Sequence, residues 1–327
     1  MSLLEVSDLN VWFALPGGGQ VHAVQGVSFG MAAGQRFGLV GESGCGKTTT
    51  ILALMGLLPP NATLGGDVRI DGRSILRPDG EETIRPYRWT DIAMVFQGAM
   101  NALSPVKKVG WQIAEPMEFH GVAQGAAARQ RAGELLELVG IPASAAQRYP
   151  HEFSGGMRQR ASIAMALACQ PRILLADEPT TALDVMVQAQ ILELLTRLSD
   201  DLGLALILVT HDLPVVAQVC DLAAVMYAGK IVEDGPMDRL FHEPRHPYTR
   251  LLFAATPDLH GQEAVVSIPG SPPRLDRTIT GCSFRQRCDV AMDACAGEGP
   301  ALLPVGAGHR AACLRNEARS DELAQAQ

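Results

Sequence analysis

The chain has 327 residues, 47% hydrophobic and 19% charged, the balance of a folded protein with about two domains and not of a disordered one. A formal net charge of −8 argues against a general nucleic-acid surface. No stretch approaches about 20 consecutive apolar residues, and the opening MSLLEVSDLN has no basic segment followed by an apolar run, so neither a membrane span nor a signal peptide is expected, and the protein is expected on the cytoplasmic side.

The runs LLEV, NVWF, VHAV and GVSF within 3–29, broken by PGGG at 16–19, predict a small antiparallel sheet. An aromatic on it could stack on a base. Phe13 is the first choice and Trp12 the second, with ordinary sheet packing as the alternative. RFGLV at 36–40 predicts a short buried strand, and KTTTILALMGL at 47–57 a helix. Between them, 41–48 reads GESGCGKT, the pattern G-x-x-x-x-G-K-S/T of a nucleotide phosphate loop. The chemistry needs these types. Gly41, Gly44 and Gly46 let backbone N–H groups converge on one anion. Lys47 reaches the β- and γ-phosphates, and the Thr48 hydroxyl can ligate Mg²⁺. Ser43, Cys45 and Thr49 are counted with this nucleotide cradle.

DVRIDG at 67–72 predicts a strand closing on a turn, and IAMVFQ at 92–97 an apolar strand ending in Gln97. Gln97 could reach a metal or a water near the phosphates, or be a plain loop residue. From about 99 to 170 strand-like runs give way to Ala-rich helical ones such as 126–139, which predicts a helical insertion. It ends in FSGGMRQR at 153–160, where Ser154 is a good N-cap and Gly155 and Gly156 expose backbone N–H groups. That makes a second anion site or a simple capped helix.

ILLADEP at 173–179 is a continuous apolar run ending in two carboxylates, the pattern of a central parallel strand with acids at its carboxyl end. Asp177 is placed to hold Mg²⁺ through water, and Glu178 to orient or deprotonate a water. Residues 185–202 predict a helix with Val187, Ile191, Leu194, Leu195 and Leu198 on one face, and 204–210 a buried strand followed by His211. Residues 222–235 predict a hairpin and 246–255 a last helix.

Together these pieces resemble the ATP-binding subunit of an ABC transporter. The likeness covers nearly all of residues 3–255 and rests on ordered motifs. Gln97 falls on the family's Q-loop glutamine. The signature LSGGQ stands here as FSGGM at 153–157, departing at Phe153 and Met157 but keeping Ser154, Gly155 and Gly156. Asp177 and Glu178 match the Mg²⁺-site aspartate and the catalytic glutamate. Residues 182–184 match the D-loop with Asp184, His211 the switch histidine, and Phe13 the adenine-stacking aromatic. The resemblance implies an α/β phosphate-loop NTPase core with a mixed sheet, an antiparallel β subdomain and a helical subdomain over about 99–170. It further implies that two such domains close head to tail on ATP and Mg²⁺, the latter near Thr48, Gln97 and Asp177. Glu178, His211 and Gln97 are the implied catalytic set. The expected division is an ATP-binding domain over 1–257 and a short Cys-rich extension over 258–327.

RHPYTRLL at 245–252, IPGSPP at 268–273 and GCSFRQRC at 281–288 resemble the dipeptide and oligopeptide importer branch. That implies uptake of peptides with two transmembrane permease subunits, an extracytoplasmic substrate-binding protein and a second ATPase subunit that is a different chain. The protein would be peripheral on the cytoplasmic face of the membrane. Nickel or another cargo, or a non-transport ABC-type ATPase, are the alternatives. Four of the seven cysteines, Cys282, Cys288, Cys295 and Cys313, crowd the tail. Four thiolates suit a 4Fe–4S cluster or closed zinc, and the wide spacing favours the cluster; free thiols are the plain alternative. His309 is a spare candidate ligand, read as part of a turn.

Overall fold

The computed structural model describes residues 2–76, 84–98, 102–255 and 267–316. Among these the strands are β1 (Leu4–Ala14), β2 (Gln20–Met31), β3 (Arg36–Val40), β4 (Ala62–Ile70), β5 (Arg73–Leu76), β6 (Ile92–Val95), β7 (Ile173–Asp177), β8 (Ala205–Thr210), β9 (Leu222–Tyr227), β10 (Lys230–Pro236), β11 (Leu303–Gly306) and β12 (His309–Ala311). The helices are α1 (Lys47–Leu54), α2 (Val109–Phe119), α3 (Gly125–Leu138), α4 (Gly155–Ala166), α5 (Val185–Leu202), α6 (Leu213–Val219), α7 (Met237–His242) and α8 (Pro247–Ala254). The chain forms two compact units. The first takes Met1–Met31, Arg36–Gly80 and Val209–Gln327, the second Ala32–Gln35 and Glu81–Leu208.

In the first unit an antiparallel sheet runs in the order β2-β1-β4-β5. Leu4 lies opposite Met31 on one side and Ile70 on the other, so the apolar positions of three strands meet on one face. Helix α1 packs on β1 and β2. The unit's other strands run β11-β12-β10-β9-β3, with β3 parallel to β9 from Phe37–Leu222 to Val40–Val225. The last residues of the tail therefore extend this sheet, Glu233 of β10 facing Ala311 of β12. Tyr227, Tyr248 and Phe284 are fully buried together, with ring centroids 4.6, 5.2 and 5.3 Å apart. Burying each ring contributes roughly 2–3 kcal/mol, which anchors Phe284 of the tail into the core.

In the second unit the strand order is β8-β7-β6, the chain of β8 leaving this unit after Leu208, and β6 and β7 are parallel from Ile92–Ile173 to Val95–Ala176. Every residue of these strands is buried. That is why their sequences are unbroken apolar runs without alternation. Helix α5 starts on Asp184, whose Oδ1 accepts from the Val187 N–H at 3.0 Å. It stops at Gly203, left-handed at φ 61°.

The mixed sheet, antiparallel N-terminal sheet and helical stretch agree with the expected fold class. Three details differ. The helix predicted over 47–57 ends at Leu54, because Gly56 turns left-handed at φ 59°. The strand predicted over 67–72 begins at Ala62, because β1 pairs with it along its length. The tail, read only as a Cys-rich extension, carries β11 and β12. Elements β5, α2, α6 and α7 carry no strong sequence signal: three are short, and α2 contains Pro116. The expected boundary at 257/258 and the start of the insertion near 99 lie outside the described residues. Among the described residues no helix is long and apolar enough to cross a membrane.

Candidate active site

The loop between β3 and α1 is shaped by its backbone. Gly41 has φ 148° and Gly46 φ 109°. A Cβ on Gly41 would stand 2.2 Å from the Met226 carbonyl oxygen, and one on Gly46 2.6 Å from that of Ala23, so no other residue fits either place. Helix α1 has left-handed Gly46 as its N-cap and no side-chain cap, the kind of helix start that can present backbone N–H groups to an anion. Lys47, 6% exposed, curls into the loop. Its Nζ donates to the Gly41 and Glu42 carbonyls at 2.7 and 3.0 Å and lies 3.8 Å from Cys45 Sγ. Burial raises the Cys45 thiol pKa above its usual value, so Cys45 contributes backbone and packing to the cradle and no thiolate.

Sequence reasoning passed over what holds this loop. The Glu42 N–H donates to the Tyr248 hydroxyl at 2.9 Å. The Glu42 carboxylate takes both arms of Arg287, at 2.6 and 2.9 Å. Hydrogen bonding to Glu42 raises the Arg287 pKa further above its ordinary value. No local signal marks this pair, since 245 positions separate its members. Tyr248 in turn is oriented by His246, whose Nδ1 accepts from the Tyr248 N–H at 3.0 Å. The His246 N–H donates to Glu233 at 2.9 Å.

In the second unit the acids sit where the sequence placed them. Asp177 ends β7 and is 1% exposed. Glu178 follows with φ 43°, a left-handed backbone rare for a non-glycine residue. Its Oε2 accepts from Gln97 Nε2 at 2.8 Å and from the Thr181 hydroxyl at 2.9 Å. The structure thus joins two of the three predicted catalytic residues and adds Thr181, which sequence reasoning missed. Ser154 caps α4, its Oγ accepting from the Met157 N–H at 3.3 Å. A Cβ on Gly156 would stand 2.7 Å from Val187 Cγ1, so glycine there lets α4 approach the start of α5. The predicted D-loop residue Asp184 is the α5 cap described above.

In the first unit, exposed His211 follows β8, and Asp212 caps α6, Oδ1 accepting from the Val215 N–H at 3.4 Å. Trp12 stacks on His22 with centroids 4.6 Å apart. Half-buried Phe13 lies opposite Val21 and Ala62. Thr48 and Thr49 stand in the first turn of α1, and Ser43 and Gly44 in the loop itself.

The cysteine tail gives the expected metal no support. Cys282, Cys288, Cys295 and Cys313 do line one cavity of about 20 Å³, room for roughly one water. Yet among the described residues no group of three or more His, Cys, Asp or Glu could hold a metal ion. The donor types suit a 4Fe–4S cluster or zinc, but the arrangement adds no support for either. A count of cysteines with wide spacing leaves each on its own turn and sets no distance between them. Burial raises the thiol pKa of Cys282, Cys288 and Cys313 above the usual value. His309 is not part of a turn: it opens β12, and its Nε2 bonds buried Glu233 Oε1 at 2.7 Å.

The ABC transporter family profile matches residues 24–181, and that of the oligopeptide/dipeptide transporter C-terminal region matches 232–295. The chain is 48% identical over 321 residues to the y4tR protein of Sinorhizobium fredii, covering 96% of this chain and 95% of that one. It is 46% identical over 316 residues to the oligopeptide transport ATP-binding protein OppD of Salmonella typhimurium, covering 96% and 93%. Among solved structures, the ATP-binding cassette MJ0796 in a dimeric post-hydrolysis state with ADP and Pi is 28% identical at TM-score 0.63, over 72% of this chain and 98% of that one.

Proposed function

The chain belongs to the ABC transporter ATP-binding family, in its oligopeptide and dipeptide branch, and from that premise we infer that it is the ATP-hydrolysing subunit of a peptide importer. The observation that carries hydrolysis is Glu178. It follows a buried strand on a left-handed backbone, and Gln97 and Thr181 aim its carboxylate by donating to one oxygen. A carboxylate so oriented acts on a water; it is poorly suited to a purely regulatory nucleotide site.

The residues divide the work. The cradle Gly41–Thr49 takes the phosphates on backbone N–H groups, and Lys47 exchanges its two carbonyl partners for phosphate oxygens. Phe13 stacks on the base. Mg²⁺ would be held by the oxygen donors Thr48, Gln97 and Asp177 and would neutralise charge on the phosphates. Glu178 orients the attacking water and takes its proton, and His211 steadies the charge on the γ-phosphate. Ser154, Gly155 and Gly156 present the start of α4 to the nucleotide of a second ATPase subunit, and Asp184 stands at the same dimer contact. The dimeric cassette with ADP and Pi supports this closure.

Two permease subunits complete the assembly. The surface suited to them is a cavity of about 340 Å³ in the second unit, lined by Arg85, Arg88, Trp89, Glu115 and Phe119 among others, where Phe119 is 73% exposed. A partner ATPase of different sequence, an extracytoplasmic binding protein and a peripheral place on the cytoplasmic face belong to this reading. So does the division at 257/258. A 4Fe–4S cluster or zinc at the four cysteines has no part in the mechanism; iron, zinc and acid-labile sulfide analysis of anaerobically purified protein decides it.

Replacing Glu178→Gln tests the reading. ATP turnover of the assembled transporter falls about a thousandfold while ATP binding persists. Full turnover in that variant would refute it.

A further inference from the structure

The tail reaches back into the phosphate loop. Arg287 lies in the turn Arg285–Arg287, between Cys282 and Cys288, and is 6% exposed. All three guanidinium nitrogens are engaged: Nε donates to the Pro269 carbonyl at 2.7 Å, Nη1 to Glu42 at 2.6 Å and Tyr227 Oη at 3.3 Å, and Nη2 to Glu42 at 2.9 Å. The turn is itself fastened by buried Phe284 and by Arg250 bonding Asp289 at 2.5 Å. Glu42, the second residue of the loop, is gripped at three points. Its carboxylate meets Arg287, its N–H meets Tyr248, and its carbonyl accepts from Lys47 Nζ at 3.0 Å. Two of the three grips come from beyond residue 245, and the third is the phosphate-binding lysine.

We propose that Arg287 is a positioning residue for ATP binding: through its two-pronged pair with Glu42 it sets the phosphate loop and neutralises a carboxylate in the loop that takes the triphosphate. A buried planar fork matched to a carboxylate is directional as well as strong. The pair also answers an electrostatic problem. A carboxylate in a loop that must accept a polyanion opposes it unless a cation is held against it. The tail is thereby a working part of the nucleotide site, and a chain with its tail displaced binds ATP weakly.

The inference rests on the ATP-binding reading, and one series of full-length variants separates the two. Equilibrium binding of MgATP is measured on the purified chain, and KM and kcat in the assembled transporter. Arg287→Ala leaves Glu42 unpaired and is expected to weaken MgATP binding about tenfold, mainly through KM. Added salt narrows the defect by screening the repulsion. Arg287→Lys keeps the charge without the fork and falls between. The Glu42→Ala/Arg287→Ala double variant removes the offending charge and recovers to within about threefold of the parent. Lost packing alone predicts the opposite, a double variant at least as weak as Arg287→Ala. That result, or parent-like affinity in a folded Arg287→Ala chain, overturns the proposal. If Arg287→Ala does not fold, Arg287→Lys and Arg287→Gln against Glu42→Ala carry the same comparison. Lys47→Ala is the control: unchanged MgATP binding there would refute the nucleotide reading and leave Arg287 aside.

Discussion

The phosphate loop and the end of β7 are built in contrasting ways. The loop is a backbone object: glycines at φ 148° and 109°, carbonyls of neighbouring strands within 2.6 Å of where a Cβ would stand, and a lysine bonded to main-chain oxygens. It is held from behind by Tyr248 and Arg287. The end of β7 is a side-chain object, where one carboxylate on a left-handed backbone is aimed by one amide and one hydroxyl. The contrast suits the two tasks proposed for these residues. Gripping a phosphate needs many fixed N–H groups, whereas activating a water needs one group whose direction is set and whose proton can move.

That contrast can be broken most directly at the loop, apart from the thousandfold turnover loss expected of Glu178→Gln. Gly46→Ala puts a methyl against the Ala23 carbonyl at φ 109°. It should weaken MgATP binding at least about a hundredfold by calorimetry; near-normal binding would show that the backbone does not define this site. The loop's support offers the next test. Burial lowers the His246 pKa from 6.5 to about 4, partly offset by Glu233. The folded value lies below the unfolded one, so the unfolded chain takes up a proton first as pH falls. This stability is full above pH 6.5, drains as pH drops through the window from 6.5 to 4, and levels off below it. The loss between about pH 8 and pH 5 is about 2 kcal/mol, read by urea denaturation. His246→Asn keeps a cap for α8 and should flatten that profile. The smallest effect belongs to the second unit. Asp184→Ala removes the α5 cap and should cost about 1 kcal/mol in thermal unfolding, leaving the Glu178 network intact.

What could be read in advance was local. GESGCGKT, ILLADEP and FSGG each place their chemistry within a few residues of one strand end or helix start, so spacing alone put Lys47, Asp177, Glu178 and Ser154 on the right elements. Thr181 was missed because a threonine three positions after an acid is ordinary until the backbone turns left-handed at Glu178. The tail shows the opposite case. Its four cysteines suggested a metal by count, while its structural work is done by Phe284, Arg287 and His309, which meet partners far away in the chain.

Short-range order therefore came from residue types and their periods: buried strands from unbroken apolar runs, α5 from its aspartate cap and glycine stop, the cradle from glycines no other residue can replace. Long-range pairing did not. Arg287 meeting Glu42, His309 meeting Glu233 and β12 closing on β10 each join segments dozens to hundreds of positions apart. Nothing in either segment alone selects the other. The shared sheet and aromatic core bring them within bonding distance, and the cost of leaving a buried charge or donor unpaired then favours these pairings.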